Sequence, residues 1–381
     1  MKIYQVGGSL RDELLGLPVA DRDWMVVGAT PQGMVAAGYL PVGRDFPVFL
    51  HPKTREEYAL ARTERKTAPG YTGFVFHSSP DVTLEQDLAR RDFTVNAMAR
   101  AAVPDPDAAI LIDPFDGRGD LDRRVLRHVG LAFAEDPVRI LRGARFVARF
   151  GFGVAPETLA LMRGMVKAGE VDALVPERIW QELARGLVER DPVAMFAMLD
   201  AVGALSRIAP ELAPWRRDGV AMRSLDAAAR SSLSVGQCFA ASLSGLDADA
   251  ASRICMRLKV PADCRDMALL LVRWRVEMAA ATDLDARGLV ELVHGADGLR
   301  QPERFRALIA VAGACVTGAG GRFDLAEQRL QLALAAVRGI DAGAIARNHA
   351  TPADIQAALR RAREAAVARA LTAPGSATAD S

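Results

Sequence analysis

The sequence predicts an α+β fold: an N-terminal head built on a small mixed sheet, followed by an all-helical remainder. Two observations carry this. Up to about residue 135, strand-like runs (Ile3 to Val6, Trp24 to Val27, Val48 to Leu50, Tyr58 to Ala61) alternate with short helices and polar loops. From about residue 136 the periodicity turns helical, and beyond "RIAPELAPWRRDG" the chain stays rich in Ala, Leu and Arg with few β-branched runs. These changes divide it into 1–135, 136–210, 211–370 and a last stretch, 371–381, small and polar enough to be a disordered tail.

Composition narrows the class. With 381 residues the chain exceeds one ordinary core, and with half of them hydrophobic and a quarter charged it is globular. No apolar run reaches the ~18 residues that span a bilayer. "MKIYQVGGSL" lacks the apolar core of a secretory signal, so a cytoplasmic protein with no membrane partner is expected. Cys238, Cys255, Cys264 and Cys315 show no C-x-x-C spacing and read as buried thiols. A net charge of +1 gives no global attraction to nucleic acid, so any such binding must use local arginine clusters.

Chemistry concentrates near the start, in "YQVGGSLRDELLGLPVADRD". A strand runs into Gly7-Gly8, where Ser9 is placed to cap a helix with Asp12 completing an S-x-x-D box. The glycines let backbone N–H groups approach a ligand, the helix start favours anions, and Arg11 adds a full positive charge. Asp21 and Asp23, two apart on an extended chain, share one face, and Arg22 and Trp24 take the other. Two like charges side by side repel unless a cation or a basic group lies between them. Magnesium commonly uses one or two carboxylates plus substrate phosphates, and a pair of ions ~4 Å apart can clamp an in-line phosphoryl transfer. D-x-D and G-G are commonplace singly; in this order they describe a phosphate cradle beside a metal site.

This stretch resembles the first motif of the polymerase-β-type nucleotidyltransferases, and "GGSLRDELLG" with "DRD" resembles the class II branch of CCA-adding enzymes and bacterial poly(A) polymerases. The resemblance implies a polymerase-β-like head at 1–135, a neck at 136–210 that selects nucleotides, and a tRNA-binding body and tail at 211–370. It implies that Asp21 and Asp23 hold catalytic Mg²⁺ and that Gly8 and Arg11 contact the nucleotide. "LARRDFTVNAMA" resembles the second motif, whose matching residues Arg91, Asp92 and Asn96 engage ribose and phosphates. "IDPFDGRGDLDRRVLRHV" resembles the flexible loop between head and neck, with Gly117 and Gly119 suited to a hinge. In "PERIWQEL", Arg178 is expected to support structure. A third carboxylate is expected on a neighbouring strand; Glu57 is the best candidate, with Glu56 and Glu64 nearby.

In "EDPVRILRGARFVARF", Arg139, Arg142, Arg145 and Arg149 fall on one helical face, opposite Ile140, Leu141, Ala144, Val147 and Ala148. The segment resembles the family's nucleotide-selecting motif, in which the residues matching Asp136 and Arg139 read the incoming base. Cytosine and adenine both offer an amino donor beside a ring-nitrogen acceptor, whereas uracil and guanine offer the reverse. A carboxylate and an arginine would therefore admit C and A and leave buried groups unpaired against U or G. Arg142, one turn on, suits phosphate or ribose.

Many bacterial relatives in this branch add an HD phosphohydrolase domain, which needs clustered His and Asp. Beyond residue 128 only His294 and His349 remain, without an H-D pair, so no such activity is expected. "RRAREAAVARA" is a candidate backbone-contacting helix or simply a solvated one. The implied function is template-independent addition of CCA to tRNA from CTP and ATP, with Mg²⁺ as cofactor, by a monomer or weak homo-oligomer. A poly(A) polymerase or a CC- or A-adding enzyme is the alternative within the family; "VGRDFPVFLHP" looks more like CCA-adding enzymes. A non-catalytic RNA-binding protein on a degenerate transferase fold is the alternative from another class, and the intact D-x-D argues against it.

Overall fold

The computed structural model describes residues 1–19, 21–42, 48–66, 74–77, 79–102, 110–212 and 219–373, with 63–66 and 74–77 described by backbone. In chain order the first part comprises β1 (Lys2–Val6), α1 (Gly7–Leu14), β2 (Asp23–Val27), α2 (Pro31–Ala36), β3 (Leu40–Val42), β4 (Val48–Leu50) and β5 (Glu57–Leu60). The hairpin β6 (Thr63–Lys66) and β7 (Phe74–His77) follows, then α3 (Leu84–Ala89), β8 (Ala99–Ala101) and β9 (Leu111–Ile112). One sheet of order β3-β4-β5-β2-β1-β8-β9 results. It is mixed because β2 and β5 run parallel while their other neighbours are antiparallel.

Each expected strand forms, and three start one residue earlier than the apolar pattern suggested, at Lys2, Asp23 and Glu57. Ladder hydrogen bonds carry both carboxylates into the sheet, in register with each other. Alternation then sorts side chains to two faces. Val6, Met25 and Ala61 pack beneath Leu84 and Leu88 of α3. Val26, Tyr58 and Leu60 pack with Met34, Tyr39 and Phe49 on the other face, where Trp24 stacks on Tyr58.

Beyond the sheet lie α4 (Gly117–Arg123), β10 (Val125–Leu126), α5 (Val138–Phe150), β11 (Gly153–Val154), α6 (Pro156–Lys167), α7 (Pro176–Gly186), α8 (Pro192–Ala201) and α9 (Leu205–Ile208). Between residues 136 and 210 the chain is helical apart from β11, which pairs in parallel with β10. Gly117 and Gly119 do not form an open hinge loop: both lie in α4. A Cβ on Gly117 would stand 2.2 Å from the Thr94 carbonyl oxygen, so this glycine serves close packing. The chain divides into two compact units, Met1–Ile179 with Ala194–Ile208, and Trp180–Val193 with Ala209–Ser381. Residues 136–179 thus cluster with the sheet.

The second unit is helical: α10 (Val220–Arg230), α11 (Val235–Ser242), α12 (Ala248–Arg257), α13 (Ala262–Ala279), α14 (Ala286–Gly295), α15 (Pro302–Gly318), α16 (Asp324–Arg338), α17 (Ala342–Arg347) and α18 (Pro352–Thr372). Side-chain caps from Ser234, Asp247, Asp285, Asp341 and Thr351 start five of these helices. All four cysteines are free, and burial pushes the Cys238, Cys255 and Cys264 thiols up to about 11. Among the described residues no helix is long and apolar enough to cross a membrane. Residues 43–47 of "VGRDFPVFLHP" and residues 374–381 of the expected tail lie outside the described residues.

Candidate active site

The end of β1, the start of β2 and the start of β5 meet at one edge of the sheet, since Val6 pairs with Asp23 and Asp23 with Glu57. Cross-strand partners point the same way, so Asp23 and Glu57 share the α3 face. Asp21 precedes β2 and is exposed. Desolvation by the surrounding protein raises the Asp23 carboxyl, although its surface is open to water; Glu57 and Asp21 raise it further, and Arg91 and Arg11 oppose them. Among the described residues no group of three or more acidic, His or Cys side chains converges as a metal cage, so Asp21, Asp23 and Glu57 are not gathered around one point. Glu56 accepts a hydrogen bond from Thr54 in the preceding turn, and the Glu64 side chain lies outside the described residues.

The expected S-x-x-D cap does not form. α1 begins at Gly7, with Gly7 at φ +70°, which puts Ser9 inside the first turn. Its hydroxyl donates to the Val6 carbonyl and accepts the Asp23 N–H, tying helix to both strands. Asp12 instead faces two arginines: Arg11 at 2.7 and 2.8 Å and Arg149 of α5 at 2.7 Å. Arg11 is 3% exposed, donates to Asn96 and lies over the rings of Phe146 and Phe150. Arg11 is therefore a buried strut between α1 and α5, beneath Gly8.

Arg91 borders the edge more directly. Its NH1 would lie 2.9 Å from a Cβ on Gly7, which would in turn lie 3.7 Å from an Asp23 carboxylate oxygen. Only glycine permits that approach. Asp92 is buried and accepts from the Phe93 N–H, from Asn96 at 2.9 Å and from Arg142 of α5 at 2.8 Å. Burial opposes its ionisation, but Arg142, Asn96 and the Phe93 N–H hold it well below the usual carboxylate range.

The arginine face of α5 thus turns onto the head's acids and carbonyls rather than into water. Arg139 donates to the carbonyls of Arg90, Arg91 and Ala132, at 2.6 to 3.3 Å. Asp136 accepts the Val138 N–H and pairs with Arg178. Asp136 and Arg139 lie at the same end of α5, one in a salt bridge and the other buried against backbone. Arg178, expected to support structure, is the arginine that pairs with Asp136. Reading along the sequence missed Asp87, which anchors Arg90 and Arg91; an acid four residues before an arginine on a helix is its only local signal.

A strand, glycine turn, helix and acidic sheet edge define a nucleotidyltransferase head. Residues 3–127 match the poly A polymerase head domain, and residues 151–216 match the probable RNA and SrmB-binding site of polymerase A. The chain is 52% identical over 412 aligned residues to the multifunctional CCA protein of Burkholderia lata, covering 97% of this chain and 99% of that one. It is 53% identical over 412 aligned residues to the multifunctional CCA protein of Burkholderia cenocepacia, with the same coverage. The chain belongs to the multifunctional CCA protein family. Among solved structures, the CCA-adding enzyme of Bacillus stearothermophilus in complex with CTP shares the fold, with a TM-score of 0.68, 24% identity and coverage of 96% of this chain and 88% of that one.

Proposed function

We propose that this chain adds C, C and A to the 3′ end of tRNA without a nucleic-acid template, consuming CTP and ATP and releasing pyrophosphate, in the cytoplasm. The observation that carries the chemistry is the in-register pair Asp23 and Glu57 at the sheet edge where Gly7 brings Arg91 alongside. A module that only bound RNA would gain nothing from acids at a phosphate site.

The donor set fits Mg²⁺, which takes one or two carboxylates plus substrate phosphates: desolvation, with Glu57 and Asp21, disfavours the charged Asp23 carboxylate, and a cation there relieves that. Asp21 and Asp23 would hold it, with Glu57 as the proposed third acid. When bound, such an ion favours the alkoxide form of the attacking hydroxyl and offsets charge on the leaving pyrophosphate. The 3′-oxygen forms a bond to the α-phosphorus as the bond to the β-phosphate bridging oxygen breaks.

The chain's own residues supply placement. Arg91 presents positive charge beside Gly7 for the phosphates, and Arg142, anchored on Asp92, reaches toward the ribose side. Asp136 accepts from the exocyclic amino group of C or A. Arg139 divides its donors between structure and selection, since its NH1 and NH2 already serve three carbonyls.

The test is to incubate end-labelled tRNA lacking CCA with CTP, ATP or both plus Mg²⁺ and to sequence the ends. Addition of CC with CTP alone and CCA with both is expected. Long A tails would replace this reading with a poly(A) polymerase, and no extension would remove it.

A further inference from the structure

We propose that Asp87 is a positioning residue of this active site: it holds the Arg91 guanidinium off the Asp23 carboxylate. Asp23 then stays available to a divalent cation, and Arg91 to a triphosphate. The inference rests on the reading of the site given above.

Asp87 lies on α3, on the same side of the sheet as Asp23, and is 2% exposed. Both of its oxygens are committed. Oδ1 accepts the Arg62 backbone N–H at 3.2 Å and Arg90 at 2.9 Å; Oδ2 takes Nε and NH2 of Arg91 at 3.3 and 3.2 Å. Through Arg62 the same carboxylate anchors the chain just beyond β5, the strand that carries Glu57. The remaining nitrogen of Arg91, NH1, donates to the Asn96 carbonyl at 3.3 Å and lies beside Gly7, as an Asp23 carboxylate oxygen also does. Arg91 is the foremost opposing charge on Asp23, yet among the described residues no ion pair joins the two.

Two acids therefore compete for one guanidinium. Asp87 wins because it is buried, Arg91 and Arg90 favour its ionised form, and its Oδ2 accepts two N–H groups of the guanidinium. Without its charge, Arg91 would retain one carbonyl and face Asp23 across a glycine. A direct Arg91–Asp23 pair would neutralise the acid that the cation needs and withdraw the cation that the phosphates need.

The experiment is Mn²⁺ titration of nucleotide-free protein, read by electron paramagnetic resonance, with CTP KM and kcat measured alongside. Asp87→Asn should weaken Mn²⁺ binding about tenfold and raise the CTP KM more than it lowers kcat. Asp87→Glu should restore both. Arg91→Gln should raise the CTP KM while leaving Mn²⁺ affinity equal to or above wild type, and adding Asp87→Asn to it should cause no further loss of Mn²⁺. Unchanged Mn²⁺ affinity in Asp87→Asn, or equal loss in the double variant, overturns the proposal. If Asp87→Asn does not fold, Mn²⁺ affinity below wild type in Arg91→Gln overturns it instead. Mn²⁺ binding that is indifferent to Asp23→Ala would show that the reading of the site itself is wrong.

Discussion

Arg178 of α7 closes on Asp136 with both arms of its guanidinium, at 2.9 and 3.3 Å, just before α5 begins. The pair fixes the direction of a carboxylate whose other tie is the Val138 N–H. Arg178→Ala should therefore raise UTP and GTP misincorporation and increase the KM for CTP and ATP about tenfold, the equivalent of one charged hydrogen bond. Arg178→Lys should be intermediate, because a point charge lacks the fork. A loss of melting temperature with unchanged selectivity would restrict Arg178 to stability.

The acidic edge should tolerate no loss. Asp21→Ala and Asp23→Ala are each expected to lower incorporation more than about a thousandfold, with tRNA binding and circular dichroism retained. Glu57→Gln should cost less, because Asp21 and Asp23 are the two acids proposed to hold the ion and Glu57 is the third. Filter-binding and single-turnover assays separate these outcomes; loss of folding in the Asp23 variant would count against a chemical role.

Asp136→Ala and Arg139→Ala should differ. Removing Asp136 should relax base choice with little effect on stability. Removing Arg139, which is 8% exposed and serves three carbonyls, should also destabilise the fold by about 2 kcal/mol. Denaturant melts beside a four-nucleotide incorporation assay check this, and equal stability of the two variants would contradict it.

Asp92 links stability to pH. Its folded carboxyl sits below the ordinary aspartate value of 3.8, so the folded state binds a proton less readily than the unfolded chain. The stabilisation is therefore full above that value and is lost as pH falls through the lower folded one. Asp92→Asn should lose about 3 kcal/mol at neutral pH, because a neutral amide replaces the buried carboxylate that accepts from Arg142, Asn96 and the Phe93 N–H. The gap from wild type should narrow below pH 3.8. A gap independent of pH would remove the ion pair as its cause.

Gly117→Ala and Gly119→Ala make a matched pair. The first Cβ meets the Thr94 carbonyl at 2.2 Å and should cost about 3 kcal/mol. The second meets the Asp116 carboxylate at 2.4 Å, and because that side chain is exposed and can turn away, it should cost under about 1 kcal/mol. Thermal melts decide between them.

What could be read along the chain was what is local. Gly7-Gly8, Asp21 and Asp23 fall within one strand-turn-helix-strand unit, and alternation alone assigns Asp23 and Trp24 to opposite faces. Ser9 shows the limit: its capping propensity was legible, but the helix starts two residues earlier, at Gly7, and the hydroxyl meets Val6 and Asp23 instead. The arginine stripe of α5 was legible as a stripe, and its partners were not. Periodicity reports which side chains share a face and carries nothing about what that face meets.

By itself, then, the sequence determined the mixed head and helical remainder, the phosphate cradle and the paired acids, because short-range geometry and residue chemistry suffice for each. Only the tertiary structure decided that Arg11 is a buried strut, that Asp12 binds Arg149 from 137 residues away, and that Asp87 holds the Arg91 guanidinium beside Gly7. Those assignments depend on which charges the fold removes from water together, and a buried charge takes whichever partner lies within reach.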